Sequence, residues 1–227
     1  MTYFSRVILD ASNPHANRLL QQVAQNGYRE HQLLWQLFPN EGDASRDFIY
    51  RSQQQNLNRV YYLVSKREPE AMPGWVVASK LYAPKITKGT ELAFSLRVNP
   101  VVTRKDNTGK SHRHDIVMDA KKSMGYKELK FAGRRSMGEL IQEAGISWLK
   151  SRSERNGFVC SRESITVESY DQHRSYKSGS KFPIRYSSMD IAGVLCVNDV
   201  DKFMDCLCQG VGPAKAFGCG LMLVRRT

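Results

Sequence analysis

Between Glu91 and Val98 the chain alternates, with Leu92, Phe94, Leu96 and Val98 on one side of an extended backbone. A period of two over eight residues demands a strand with one covered face, because a helix would scatter those four side chains around its axis. Other short apolar runs read the same way. Tyr3 to Asp10 reads as a first strand, and Phe48 to Arg51 and Arg59 to Ser65 as two extended segments. The run Trp75-Val76-Val77 lies within a Pro-containing stretch from Glu68 to Pro84. Farther on, strands are expected over Phe158 to Val167, Ile191 to Val197 and Leu221 to Arg225. Helical spacing is found in Leu19, Leu20 and Val23, in Tyr28 to Phe38, and in Met137, Leu140, Ile141, Ala144 and Trp148, which predict a helix from about Ser136 to Glu154. Asp199 or Asp201 suits the N-cap of a further short helix ending at Cys208.

Strands interleaved with helices at this spacing give an α+β chain. The order in the first half is strand, helix, strand, strand, irregular segment, strand, with Glu91 to Val98 as the closing strand. That order fits one β-α-β-β-α-β ferredoxin-like unit whose second helix is weak. The second half repeats the order if a strand lies near Asp115 to Met118. The expected architecture is therefore two tandem ferredoxin-like domains, residues 1–100 carrying the helix Tyr28 to Phe38 and residues 101–227 carrying a basic loop and a Gly-rich loop. No clear sequence repeat supports the duplication, so it rests on element order.

Charge narrows the function. The 227 residues carry a formal net charge of +12, spread along the chain instead of packed into a tail. A folded protein with such a field attracts polyanions, nucleic acid above all. No stretch reaches the roughly 20 apolar residues of a membrane span. Five cysteines leave one unpaired in any disulfide scheme and show no C-x-x-C spacing, as expected of free thiols in a reducing cytoplasm.

Three segments carry candidate chemistry. On the helix from Tyr28, His31 shares a face with Leu34, Trp35 and Phe38, and Tyr28 lies one turn earlier on that side. The pattern suits a half-buried His and Tyr beside a core stripe. It also admits an imidazole that moves a proton near neutral pH, close to a helix start that favours phosphate. The second segment runs from Gln209 to Leu221, where Gly210, Gly212, Gly218 and Gly220 surround Lys215. Glycines let a backbone approach phosphate and aim N–H groups at it, but they also serve helix ends and tight turns. The third is a basic tract with Arg104, Lys105, Lys110, His112, Arg113 and His114, shaped like a hairpin loop. His112 and His114 lack the Cys or acidic companions of a metal site, so no metal and no cofactor is expected. There is also no compact carboxylate set for a two-metal nuclease. An enzyme cutting RNA without metal would use the neighbouring 2′-OH.

Taken together these segments resemble the CRISPR repeat endoribonucleases, in the type I-E branch called CasE. The marks are Phe4-Ser5-Arg6-Val7-Ile8-Leu9, the run from Tyr28 and His31 through Gln32-Leu33-Leu34-Trp35-Gln36-Leu37-Phe38-Pro39-Asn40, Ala44-Ser45-Arg46-Asp47-Phe48, and Phe94-Ser95-Leu96-Arg97-Val98-Asn99-Pro100. The most specific is Gly210-Val211-Gly212-Pro213-Ala214-Lys215-Ala216-Phe217-Gly218-Cys219-Gly220-Leu221. Residues 121–135 and 168–183 match less well. The resemblance implies two ferredoxin-like domains, a repeat hairpin of CRISPR RNA bound through basic residues, a cut on the 3′ side of the stem, and a mature RNA kept as the protein joins the other Cascade subunits. It places the catalytic histidine at His31, with Tyr28 as an accessory. The basic tract and the Gly-rich loop themselves are expected to supply the RNA contacts, at Arg104, Lys105, Lys110, His112, Arg113, Lys215, Gly210, Gly212, Gly218 and Gly220. Two other readings stay open: an RNA-hairpin-binding module without activity, and a metal-dependent nuclease.

Overall fold

A computed structural model describes residues 1–25, 28–38, 46–126, 136–176 and 182–227. Its first sheet has the order β2-β3-β1-β4, built from β1 (Tyr3–Leu9), β2 (Phe48–Gln55), β3 (Asn58–Ser65) and β4 (Trp75–Leu81), with all neighbours antiparallel. Helices α1 (Pro14–Gln25) and α2 (Tyr28–Trp35) cover one face. There Val7, Leu9, Tyr50, Tyr61, Leu63 and Trp75 meet Leu33, Leu34 and Leu37. Burying each Leu of that layer is worth about 1.5–3 kcal/mol. The predicted break at Asn26-Gly27 and the stop at Pro39-Asn40 lie outside the described residues.

The fourth strand of this sheet is β4, the run that the sequence marks only at Trp75-Val76-Val77; β1 pairs with it through Val7 and Val77. Residues 66–74, where a ferredoxin-like unit places its second helix, form none. Pro69 and Pro73 explain this, since each removes a helix donor and clashes with the preceding turn. The segment is pinned instead by the Glu70 N–H, which donates to Leu37 O at 2.7 Å.

The alternating segment is β5 (Glu91–Val98), and it does not close the first unit. It is the first strand of the second sheet, whose order is β11-β5-β10-β8 with β9 also on β10. By sheet membership the chain divides between β4 and β5, ahead of residue 100. A half-buried strand looks the same whichever sheet it joins, so its period holds no partner information. After β5 come a hairpin of β6 (Val101–Lys105) and β7 (Ser111–Asp115), then α3 (Ile116–Ser123) and α4 (Met137–Ser153). The strand expected near Asp115 to Met118 is thus a helix. The Asp115 carboxylate caps it, accepting from Val117 N at 2.9 Å and Met118 N at 3.0 Å. Ser136 and Glu139 form a capping box at the start of α4.

The strand expected over Phe158 to Val167 is two strands, β8 (Phe158–Val159) and β9 (Ile165–Ser175), both along the same edge of β10 (Ile184–Val197). Asp199 caps α5 (Val200–Gln209) before β11 (Met222–Arg226). Counting β5 as the first strand, β8 with β9 as the second, β10 as the third and β11 as the fourth, the order is 4-1-3-2, the ferredoxin-like order of the first sheet as well. The protein is α+β with two ferredoxin-like units.

The units meet through the face of the first sheet opposite α1 and α2. Ile49 and Val64 pack there on Leu221, flanked by Phe4, Tyr62 and Leu223. Arg51 of β2 crosses the junction, donating to Ser95 Oγ at 2.8 Å and lying 3.7 Å from Asp190, which Arg97 holds at 2.7 Å.

Candidate active site and nucleic-acid interface

Helix α2 buries Leu33 and Leu34, and the following turn buries Leu37 and Phe38, which leaves His31 half-buried at the edge of the stripe. Its ring meets Trp35 edge-on at 6.1 Å and Phe48 at 5.7 Å. Burial first, and the Arg46 guanidinium second, push its pKa down from 6.5 to about 4. The ring is therefore neutral at pH 7, the form that accepts a proton. Tyr28 is the first residue of α2, and its side chain lies outside the described residues.

The rotation of α2 is fixed by Glu30, which is 5% exposed. Its carboxylate accepts from Arg59 Nε at 2.8 Å and Nη2 at 2.5 Å, and from Ser52 Oγ at 3.2 Å. This forked ion pair ties the helix to β2 and β3 beside His31. The sequence offers no hint of it, because a carboxylate between Arg29 and His31 reads as a solvated charge.

The Gly-rich loop of the second unit comes to this helix. A 3₁₀ turn, Lys215–Phe217, packs against α2 and β2, and Tyr50 Oη donates to Ala216 O at 3.0 Å. Lys215 is half-buried, and burial followed by the Arg46 charge holds its ammonium below its usual pKa. Arg46 thus acts on both His31 and Lys215, so an imidazole and two cations share one locality.

The glycines of this loop act differently from a row of phosphate donors. The N–H groups of Gly210, Gly218 and Gly220 are engaged inside the protein, with Cys206 O, Lys215 O and Arg97 O. Gly210 has φ +73° as the cap of α5, and Gly218 has φ +74° where an added Cβ would lie 3.2 Å from the Tyr50 ring. Gly212 also has positive φ, as does Ala214, at 61°, an unusual conformation for a residue with a side chain, immediately before Lys215.

The basic tract is the β6–β7 hairpin, with Thr103 opposite Arg113 and Arg104 opposite His112. Arg104 is tied to Asp119 at 2.7 Å, and His112 Nε2 lies 2.7 Å from Asp106 Oδ2, a carboxylate whose pKa Thr108 first and His112 next pull down to about 2. Lys105, Lys110 and Arg113 are exposed. Arg113 lines a cavity of about 700 Å³ together with Arg174 and Arg185. The last two face each other across β9 and β10. Like charges directly opposite destabilise a sheet, and an anion between them would relieve the repulsion. Sequence reasoning missed this pair because 168–183 reads as a polar loop, whereas β9 runs to Ser175 with polar residues on both faces. The signal was the density of cations flanking that stretch.

Comparison with known proteins bears on the family and the fold. A family model described as CRISPR associated protein matches residues 2–226. The Cascade subunit CasE of the Escherichia coli CRISPR system (strain K12) is 31% identical over 199 residues, spanning 86% of this chain and 89% of that protein. The crystal structure of the CRISPR-associated protein Cas6e from the same strain superposes with a TM-score of 0.60 at 26% identity, over 99% of this chain and 100% of that one. Thermus thermophilus Cse3, bound to an RNA representing a pre-cleavage complex, has the same fold, with a TM-score of 0.72 at 21% identity over 99% of this chain and 98% of that one. No helix among the described residues is long and apolar enough to cross a membrane.

Proposed function

The chain belongs to the CRISPR-associated protein family, in its CasE branch, and from that premise we propose that it is a metal-independent endoribonuclease of CRISPR precursor RNA. It binds the repeat hairpin, cuts at the 3′ base of the stem, and keeps the mature RNA as a Cascade subunit in the cytoplasm. The observation that carries this reading is the packing of the Gly-rich loop's Lys215–Phe217 turn against α2, the helix of His31, with the Arg46 charge acting on both His31 and Lys215.

In the reaction the 2′-OH at the cut attacks the adjacent phosphorus while its proton passes to the neutral His31 ring. The bond from phosphorus to the 5′ oxygen breaks, and that oxygen leaves with a proton from a second donor. The products are a 2′,3′-cyclic phosphate and a 5′-OH. Charge developing on the phosphoryl oxygens is stabilised by Lys215 and Arg46. Tyr28, one turn before His31, positions the phosphate or shares in proton transfer. The stem phosphates lie on Arg104, Lys105, Lys110, His112 and Arg113 of the hairpin, extended by Arg174 and Arg185. Gly210, Gly212, Gly218 and Gly220 serve RNA binding by shaping the loop that presents Lys215.

One assay tests this. The protein is incubated with a repeat hairpin in EDTA, and again with a 2′-deoxy substitution at the cut site. Cutting in the first case and intact RNA in the second is the expected pair. Silence in EDTA with restoration by Mg²⁺ would make it a metal-dependent nuclease, and binding without any product would make it a hairpin-binding module.

A further inference from the structure

A cleft of about 400 Å³ lies between the two units. Glu30, Ser52 and Arg59 line it from the first unit, and His173, Tyr186 and Phe217 from the second. Its aromatic wall is continuous. Tyr186 stacks on His173, its partner across β9 and β10, with centroids 4.7 Å apart and planes at 23°. It also meets Phe217, at 4.5 Å and 34°. His173 is half-buried, and its Nε2 lies 2.7 Å from Ser188 Oγ, which fixes the plane of the ring.

Among the described residues the cleft has no excess of cations, unlike the surroundings of Arg113, Arg174 and Arg185. Arg59 is bound to Glu30, Arg97 is bound to Asp190, and Asp171 adds a further carboxylate to the lining. A phosphate gains little from such a site. A planar, uncharged ligand with hydrogen-bonding edges suits it, stacked on the rings with its edge toward the Glu30–Arg59 side, and the volume falls in the range of small-ligand pockets. The location is equally specific. Glu30 precedes His31 in α2, and Phe217 ends the turn that carries Lys215. Resting on the function proposed above, we propose that this cleft receives the unpaired base of a nucleotide flanking the cut, stacked on the His173–Tyr186 pair. The base would then anchor the strand so that the scissile phosphate lies at His31, and the cleft would read the substrate beyond its stem.

The test uses a hairpin made uncuttable by the 2′-deoxy substitution, with abasic sites placed in turn at positions flanking the cut. Affinities are measured for the wild-type protein, His173→Ala and His173→Phe. At one position removal of the base should weaken wild-type binding on the order of ten-fold. His173→Ala should bind intact RNA correspondingly weakly and be indifferent to the abasic site there, and His173→Phe, which keeps a ring, should restore both affinity and sensitivity. A wild-type protein indifferent at every position, or abasic penalties equal in wild type and His173→Ala, overturns the proposal. Because the readout is affinity for RNA that is not cut, it decides the cleft even if the cuttable hairpin stays whole, which would defeat the catalytic reading instead.

Discussion

The two sheets share one strand order and are covered unequally. The first has α1 and α2, both placed before β2, and an extended segment at 66–74. The second has α3, α4 and α5 and an inserted hairpin. Their charges differ in the same sense. Glu30 and Arg59 neutralise each other beside His31 on the first unit, whereas the second gathers exposed cations on one hairpin, Lys105, Lys110 and Arg113, and on one strand pair, Arg174 and Arg185. The lesson is a division of labour on a repeated framework. Under the proposed function one unit holds the proton-transfer group at a closely packed edge, and the other offers the field that gathers a polyanion. Lys215, carried on the loop of the second, joins them.

The sharpest way to break that comparison is His31→Ala. General acid–base help is worth about 10²–10⁴-fold, so single-turnover cleavage should fall by that much. Hairpin affinity should stay within a small factor, because the cations proposed to hold the stem lie on the other unit. Equal losses in rate and affinity would show that the labour is not divided.

A smaller effect is expected from the second unit. Replacing Arg113, Arg174 and Arg185 by Gln, singly, should weaken hairpin binding and lower the slope of log affinity against log salt by about one for each phosphate left without its cation. The cutting rate at saturating protein should hold. Removal of Arg174 or Arg185 also relieves a like-charge pair across β9 and β10, so thermal stability should rise slightly or stay level. Variants with an unchanged salt slope would remove these arginines from the RNA path.

The sequence carries such divisions only in part. Strands with one covered face announced themselves, as β5 did through Leu92, Phe94, Leu96 and Val98. Its sheet did not, since membership is decided by β10 and β11, about a hundred residues away. The helix start at Asp115 was hidden because an aspartate that caps α3 also ends β7. His31 and Lys215 were legible as residue types in a pattern, but what joins them, Arg46 and the Tyr50 bond to Ala216, is long-range geometry. Arg174 and Arg185 escaped notice because β9, polar on both faces, has no apolar period to show.

The smallest expected effect concerns the setting of the imidazole itself. Burial is the larger cause of the depressed His31 pKa of about 4, and Arg46 the lesser. The acid limb of kcat/KM, which reports the free enzyme, should therefore lie near pH 4, well below the 6.5 of an exposed histidine. Arg46→Gln removes only the charge, so the limb should move up and stop short of 6.5. Stability follows the same sign. A folded pKa below the unfolded one means that the unfolded chain binds the proton first, so the contribution of the neutral ring is whole above 6.5 and is lost as pH falls from there toward 4. Arg46→Gln should narrow that window and soften the loss. An NMR titration of the His31 ring in wild type and variant reads the shift directly. An unmoved imidazole would mean that Arg46 does not act on it, and would leave burial alone to keep the proton acceptor of the first unit neutral.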